Sequence, residues 1–133
     1  MITQAQIRSS LESVVETWAN AQGYQFQKEG QQVDWNGAIR IETWLLPNEP
    51  LNPTIGDTLS RENGIFQITI VSDSGIGATQ SDTVAQNCKL LYNRGQSLSG
   101  VMIPRTPAIK PSFLVDSQRH TILYVWYEAD SFN

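Results

Sequence analysis

The run Arg61-Glu62-Asn63-Gly64-Ile65-Phe66-Gln67-Ile68-Thr69-Ile70 constrains this chain more than any other. A polar stretch ends at a glycine and passes directly into a strand that is apolar on both faces. Side chains alternate along a strand, so Phe66, Ile68 and Ile70 point one way while Ile65, Gln67, Thr69 and Val71 point the other. An outer strand of a small monomer usually keeps one wet face. This one has little polarity to offer. It reads as a central strand, or as one whose second face meets another subunit.

The rest of the pattern supplies partners for that strand. Ile7, Leu11, Val14, Val15 and Trp18 fall at helical spacing over residues 3–22. Thr3 and Gln6 form a capping-box pair, and Gly23 supplies a left-handed stop. Residues 24–27 alternate as a short strand. Residues 39–46 make a firmer one, with Ile39, Ile41, Thr43 and Leu45 on one face and Arg40, Glu42, Trp44 and Leu46 on the other. A second helix spans about 79–94, striped by Val84, Cys88, Leu91 and Tyr92, capped by Ser81 or Thr79 and ended by Gly95. Val101-Met102-Ile103 begins a strand region. Residues 113–115 and 120–128 pair as a hairpin across the polar turn Asp116-Ser117-Gln118-Arg119.

All six prolines lie in two segments, Pro47-Pro50-Pro53 and Pro104-Pro107-Pro111. Proline cannot donate to a ladder, so neither segment belongs to central sheet. The first opens a polar loop from Pro47 to Asn63, longer than joining two strands requires, which reads either as a solvated connection of no special role or as an arm reaching a neighbouring molecule. The predicted fold class is α+β: a mostly antiparallel sheet of four or five strands with two helices packed on one face. The other face, carrying Trp44 and the aliphatic sets of the two-sided strands, is expected to be covered by a second copy.

Length and charge narrow the function. The 133 residues make a single domain, 1–133, that buries about two-thirds of its unfolded surface. A formal charge of −4 with nine scattered basic residues argues against gripping nucleic-acid phosphates. A lone cysteine fits a reducing cytoplasm, and neither a secretory leader nor a membrane span is visible.

Chemistry is sparse. His120 is the only histidine, with Asp116 four residues earlier, but no Gly-x-Ser-x-Gly elbow supplies a serine. The usual zinc ligands are missing. Gly75-Ile76-Gly77 lacks the rest of a phosphate-cradling motif and reads as a flexible helix start. Cys88 falls on the helix stripe as a core residue. Glu42 with Glu62 is the best available carboxylate pair for acid–base work, though nothing in the spacing selects it. No cofactor is implied.

The chain nonetheless resembles the tail terminator and tail-completion proteins of long-tailed bacteriophages. The marks are Ile7-Arg8 with Leu11-Glu12, Trp18-Ala19-Asn20-Ala21-Gln22-Gly23, Arg61 through Ile68, and the last strand ending Val125-Trp126-Tyr127-Glu128-Ala129. The resemblance implies an α+β protein, not an enzyme, that forms a hexameric ring on the head-proximal end of the tail tube. Made in the host cytoplasm, it would reside in the virion. Its partners would be itself, the tail tube protein and the head–tail connector, with genomic DNA passing through without specific binding and no membrane involved. The subunit or partner interface is expected at Trp44, Arg40, Pro50, Pro53, Arg61, Glu62 and Ile65. The alternative is a small cytoplasmic enzyme or ligand-binding domain with an unrecognised site.

Overall fold

A capping box starts the first helix. In the computed structural model, which describes residues 2–31, 39–50, 59–73 and 78–132, Thr3 is extended and its hydroxyl accepts from the Gln6 N–H at 3.2 Å. The Gln6 side-chain amide oxygen Oε1 accepts from the Thr3 N–H at 2.7 Å. These bonds satisfy two of the amides that open α1 (Gln4–Gln22). Gly23 ends the helix in the left-handed region, at φ 77°. Both ends fall where the sequence put them.

Among the described residues, eight strands follow, around a second helix. They are β1 (Gln25–Gln27), β2 (Ile39–Pro47), β3 (Leu59–Asp73), α2 (Ala78–Lys89), β4 (Ser97–Leu98), β5 (Val101–Met102), β6 (Ala108–Ile109), β7 (Phe113–Val115) and β8 (Gln118–Phe132). The order across the sheet is β1-β2-β3-β8-β5-β4, with β6 and β7 also paired to β8. Among the described residues only β1 and β2 run parallel; every other pair is antiparallel.

The sheet therefore has more strands than the four or five expected. Pro104, Pro107 and Pro111 cut the segment after α2 into pieces of two or three residues, and β5, β6 and β7 each pair with the edge of β8 that β3 leaves free. The expected polar loop up to Asn63 is also corrected. Because β8 runs on to Phe132, residues 59–63 have ladder partners and join β3, pairing Arg61 with Asp130 and Asn63 with Glu128. Residues 51–58, the middle of that loop, and 74–77, with Gly75-Ile76-Gly77, lie outside the described residues. Pro47, placed outside the sheet from sequence, is the last residue of β2, opposite Gly64.

Two helix details also differ. α2 stops at Lys89 instead of reaching 94, and a series of turns carries the chain to Gly95. Ser81 is not a cap: it is fully buried inside α2, and its hydroxyl lies 2.7 Å from that of Ser72 on β3. The hairpin from 113 is tighter than expected. Asp116 and Ser117 alone make its turn, both at positive φ (48° and 67°), as a two-residue primed turn demands.

Both helices pack on one face, as expected. Ile7, Leu11, Val15 and Ala19 of α1 and Val84, Ala85 and Cys88 of α2 share a core with Ile41, Phe66, Ile68, Leu123 and Val125 of the sheet. Each buried Leu, Ile or Phe contributes about 1.5–3 kcal/mol. Ile68 is fully buried here, in the monomer's own core. Two polar pairs bind this layer, although the buried Thr121 hydroxyl has no hydrogen-bond partner among the described residues. The Tyr92 hydroxyl donates to the Leu11 carbonyl at 2.7 Å, and the Thr43 hydroxyl donates to the Glu12 carboxylate at 3.3 Å. Burial raises the Glu12 carboxyl above its ordinary range despite nearby Arg8 and that hydrogen bond.

Gly64 sits where β2, β3 and the Tyr127 hydroxyl leave no room for a side chain. A Cβ there would lie 2.5 Å from the Leu46 carbonyl oxygen, 2.9 Å from Pro47 Cα and 2.8 Å from the Tyr127 hydroxyl. Backbone atoms of two strands cannot step aside as a side-chain tip can. Gly64→Ala is expected to cost about 2–3 kcal/mol, the upper part of the overpacking range, read as a lower urea midpoint at unchanged slope. A midpoint equal to wild type would show that the strands part easily here.

Candidate interaction surface

Alternation across an unbroken register places a second set of side chains on the sheet face away from the helices. β2, β3 and β8 contribute it in rows: Leu46, Ile65 and Trp126; Trp44, Gln67 and Tyr124; Glu42, Thr69 and Ile122; Arg40, Val71 and His120. Of the seven large apolar side chains left exposed among the described residues, Trp44, Leu46, Met102, Phe113 and Val115 belong to this face. Leu114 points to the opposite face of the β7 hairpin, and Leu90 follows α2.

The middle of the face is drier than its ends. Thr69 and Val71 are buried, and beside them Arg40 and Glu42 form an ion pair at 3.1 Å with both side chains largely covered. Toward the β5–β7 side, cations lie on rings. The Arg105 guanidinium sits 3.8 Å from the centre of the Trp126 ring, and the Lys110 ammonium 5.3 Å from that of Tyr124. Phe113 stacks on His120, ring centres 5.5 Å apart and 10° from parallel.

The expected interface residues separate on this frame. Arg40, Trp44, Ile65 and Arg61 share the second face. Arg61 is bidentate to Asp130, at 2.8 and 3.4 Å, which holds the Asp130 carboxyl below its ordinary range. Glu62 points to the helix side, where its carboxylate accepts from Ser60 at 3.4 Å. Pro50 is exposed beyond the end of β2, and Pro53 lies outside the described residues. Glu42 and Glu62 occupy opposite faces, so the fold does not bring that carboxylate pair together. Cys88 is fully buried, and burial pushes its thiol up to about 12, far from thiolate chemistry at neutral pH.

Sequence reasoning missed Glu29. Its carboxylate accepts from the Leu45 N–H at 2.8 Å and from Arg8 at 2.8 Å, tying the outer edge of β2 to α1. β1 covers β2 only from Arg40 to Glu42, so Leu45 would otherwise present a bare strand edge. Pro47, two residues on, has no N–H to present. No local pattern around Glu29 announces a partner 16 residues away.

A family model described as phage tail terminator protein matches residues 6–118 of the chain. No curated protein matches. Ten solved chains do. One of them aligns over 100% of this chain and 99% of its own length with a TM-score of 0.79 and 16% identity. At that identity the likeness is one of fold.

Glu29 gives the surface a pH signature. Burial alone would raise its carboxyl, but the Arg8 and Leu45 hydrogen bonds outweigh burial and leave it lowered from 4.5. A lowered folded value adds stability above the unfolded value, lost as pH falls through the folded one. Glu29→Ala is therefore expected to lose about 1–2 kcal/mol at pH 7, with the deficit closing below about pH 4. Thermal melts of both proteins from pH 3 to 8 check this, and a deficit constant with pH would assign the loss to packing instead.

Proposed function

We propose, because the chain belongs to the phage tail terminator protein family, that it caps the head-proximal end of the tail tube as a ring. There it stops tube polymerisation and offers the surface to which the head connector joins. The observation that carries this reading is the family match over residues 6–118. The second sheet face supports it, since five exposed apolar side chains on one side of a small sheet mark an interaction surface. The ring would be hexameric, as the sequence resemblance implies, with the tail tube protein on one side and the connector on the other.

The charge suits such a position. A chain at −4 offers DNA passing through a ring few places to hold, and acidic walls repel phosphates. The role is structural. It asks for complementary surfaces and tolerates loss of any single nucleophile or acid.

Two experiments test the reading. Tails assembled without a working copy of this chain are expected to overgrow and to fail to join heads, as seen by negative-stain microscopy. Tails of normal length under those conditions would overturn it. Cys88→Ala is expected to cost about 1 kcal/mol of stability and leave tail length and head joining unchanged. Loss of activity from that change, with the fold and ring intact, would revive an enzymatic role.

A further inference from the structure

Two of the resemblance marks, Ile7-Arg8 and Leu11-Glu12, each set a charged residue beside one that enters the core. Ile7 and Leu11 hold α1 on the sheet. Arg8 and Glu12, four residues apart, are neighbours on the surface of α1, and both lead to β2. The Arg8 guanidinium donates at 2.8 Å to Glu29, whose carboxylate also takes the Leu45 N–H at 2.8 Å. The buried Glu12 takes the Thr43 hydroxyl at 3.3 Å.

These contacts fall one residue either side of Trp44. Thr43 and Leu45 flank it and turn to the helix layer, while Trp44 stands exposed on the second face. β1 covers the outer side of β2 from Arg40 to Glu42, and among the described residues no strand continues it. Beyond Glu42, the Glu29 carboxylate stands in for a ladder carbonyl.

Charge is short in this cluster. Arg8 is engaged by Glu29, and Lys28 lies 3.6 Å from Glu16. Glu12 therefore has no cation to itself. The Tyr92 hydroxyl, packed nearby from the turns after α2, donates to the Leu11 carbonyl and brings no charge. A cleft of about 280 Å³, lined by Arg8, Glu12, Glu16 and Lys28 among others, gives water access to the group. Burial raises the Glu12 carboxyl, whereas the hydrogen bonds from Arg8 and Leu45 outweigh burial and lower that of Glu29. The signs oppose. Glu12 adds stability that is present below 4.5 and lost as pH rises through its folded value; Glu29 adds stability present above 4.5 and lost as pH falls through its own.

We propose that Arg8, Glu12 and Glu29 form a proton-sensitive clamp through which α1 steadies the Trp44 stretch of β2. Arg8 is divided between two carboxylates. Neutralising Glu12 leaves it to Glu29 alone and tightens the hold on Leu45; neutralising Glu29 releases that hold. The importance of Trp44 rests on the interaction-surface reading above, while the clamp itself is measured in the isolated chain.

Amide hydrogen exchange at Leu45, with the core amide of Ile68 as internal reference, tests it. At pH 7, Glu29→Gln, which keeps an oxygen and removes the charge, is expected to lower Leu45 protection about fivefold. Arg8→Gln should do the same without touching Leu45, and Glu12→Gln should raise protection about twofold. As pH falls from 7, wild-type protection is expected to rise while Glu12 takes a proton, then to drop below about pH 4 as Glu29 follows. Glu12→Gln should lose the rising limb and keep the drop. Melting curves verify folding, and Arg8→Lys, expected to lower protection less than Glu29→Gln, replaces Arg8→Gln if that variant unfolds. The proposal is overturned if Glu12→Gln fails to raise Leu45 protection, if the Arg8 change leaves it as in wild type, or if Leu45 follows Ile68 at every pH. None of these measurements involves tails, so a failed clamp would leave the capping role standing, and a failed capping role would leave the clamp.

Discussion

The pairing of β3 with β8 is the constraint from which the rest of the fold follows. Fifteen residues of each strand run antiparallel without a bulge, from Leu59 opposite Phe132 to Asp73 opposite Gln118. With a side-chain period of two, a slip of one residue would turn Phe66, Ile68 and Ile70 out of the helix layer and expose the entire core set. That cost fixes the register. The unbroken register in turn fixes which side chains stand on the second face. The helix core and the interaction surface are thus two outcomes of one ladder.

Much of this was legible in the sequence because both helices and the long strands carry clear periods. Thr3, Gln6 and Gly23 bound α1 through local chemistry, and the alternation in β2, β3 and β8 sorts residues to faces correctly. Family membership was legible as well, from motifs and not from any catalytic pattern. What was not legible depended on distant partners. Residues 59–63 are polar and look like loop, yet they are strand because β8 continues opposite them. The edge pieces β5, β6 and β7 are too short to carry a period, and only the free side of β8 makes them strands. Glu29 and Glu62 show the same limit at the candidate surface. Glu29 acts across 16 residues on a backbone amide, and Glu62 was placed at an interface by its motif although the ladder turns it to the helix side.

The edges of the sheet are treated unequally, and this matters for the ring proposed above, whose copies would have to associate in one way only. On the β2 side, β1, Glu29 and Pro47 cover or remove the outward donors. On the β8 side, prolines keep the pairing segments short, so no long flat edge is offered. Sheet-to-sheet extension, the route to aggregates, is discouraged at both. What remains available is side-chain surface, where shape and charge discriminate among partners in a way that a ladder of amides does not.

That surface must also be tolerable to water before a partner arrives. Two of its rings are not left bare. The Arg105 guanidinium lies on Trp126 and the Lys110 ammonium near Tyr124, each setting a cation over a ring. Arg40 and Glu42, an ion pair itself largely covered, stand beside the buried Thr69 and Val71. Such shields cost little to displace, since a partner offering carboxylates can take the cations as its apolar groups take the rings. An apolar face with movable cationic covers is soluble as a monomer and adhesive in an assembly. The net −4 of the chain suits the proposed ring: its copies would repel at long range, where charge dominates, and join only where close contact lets apolar burial outweigh it.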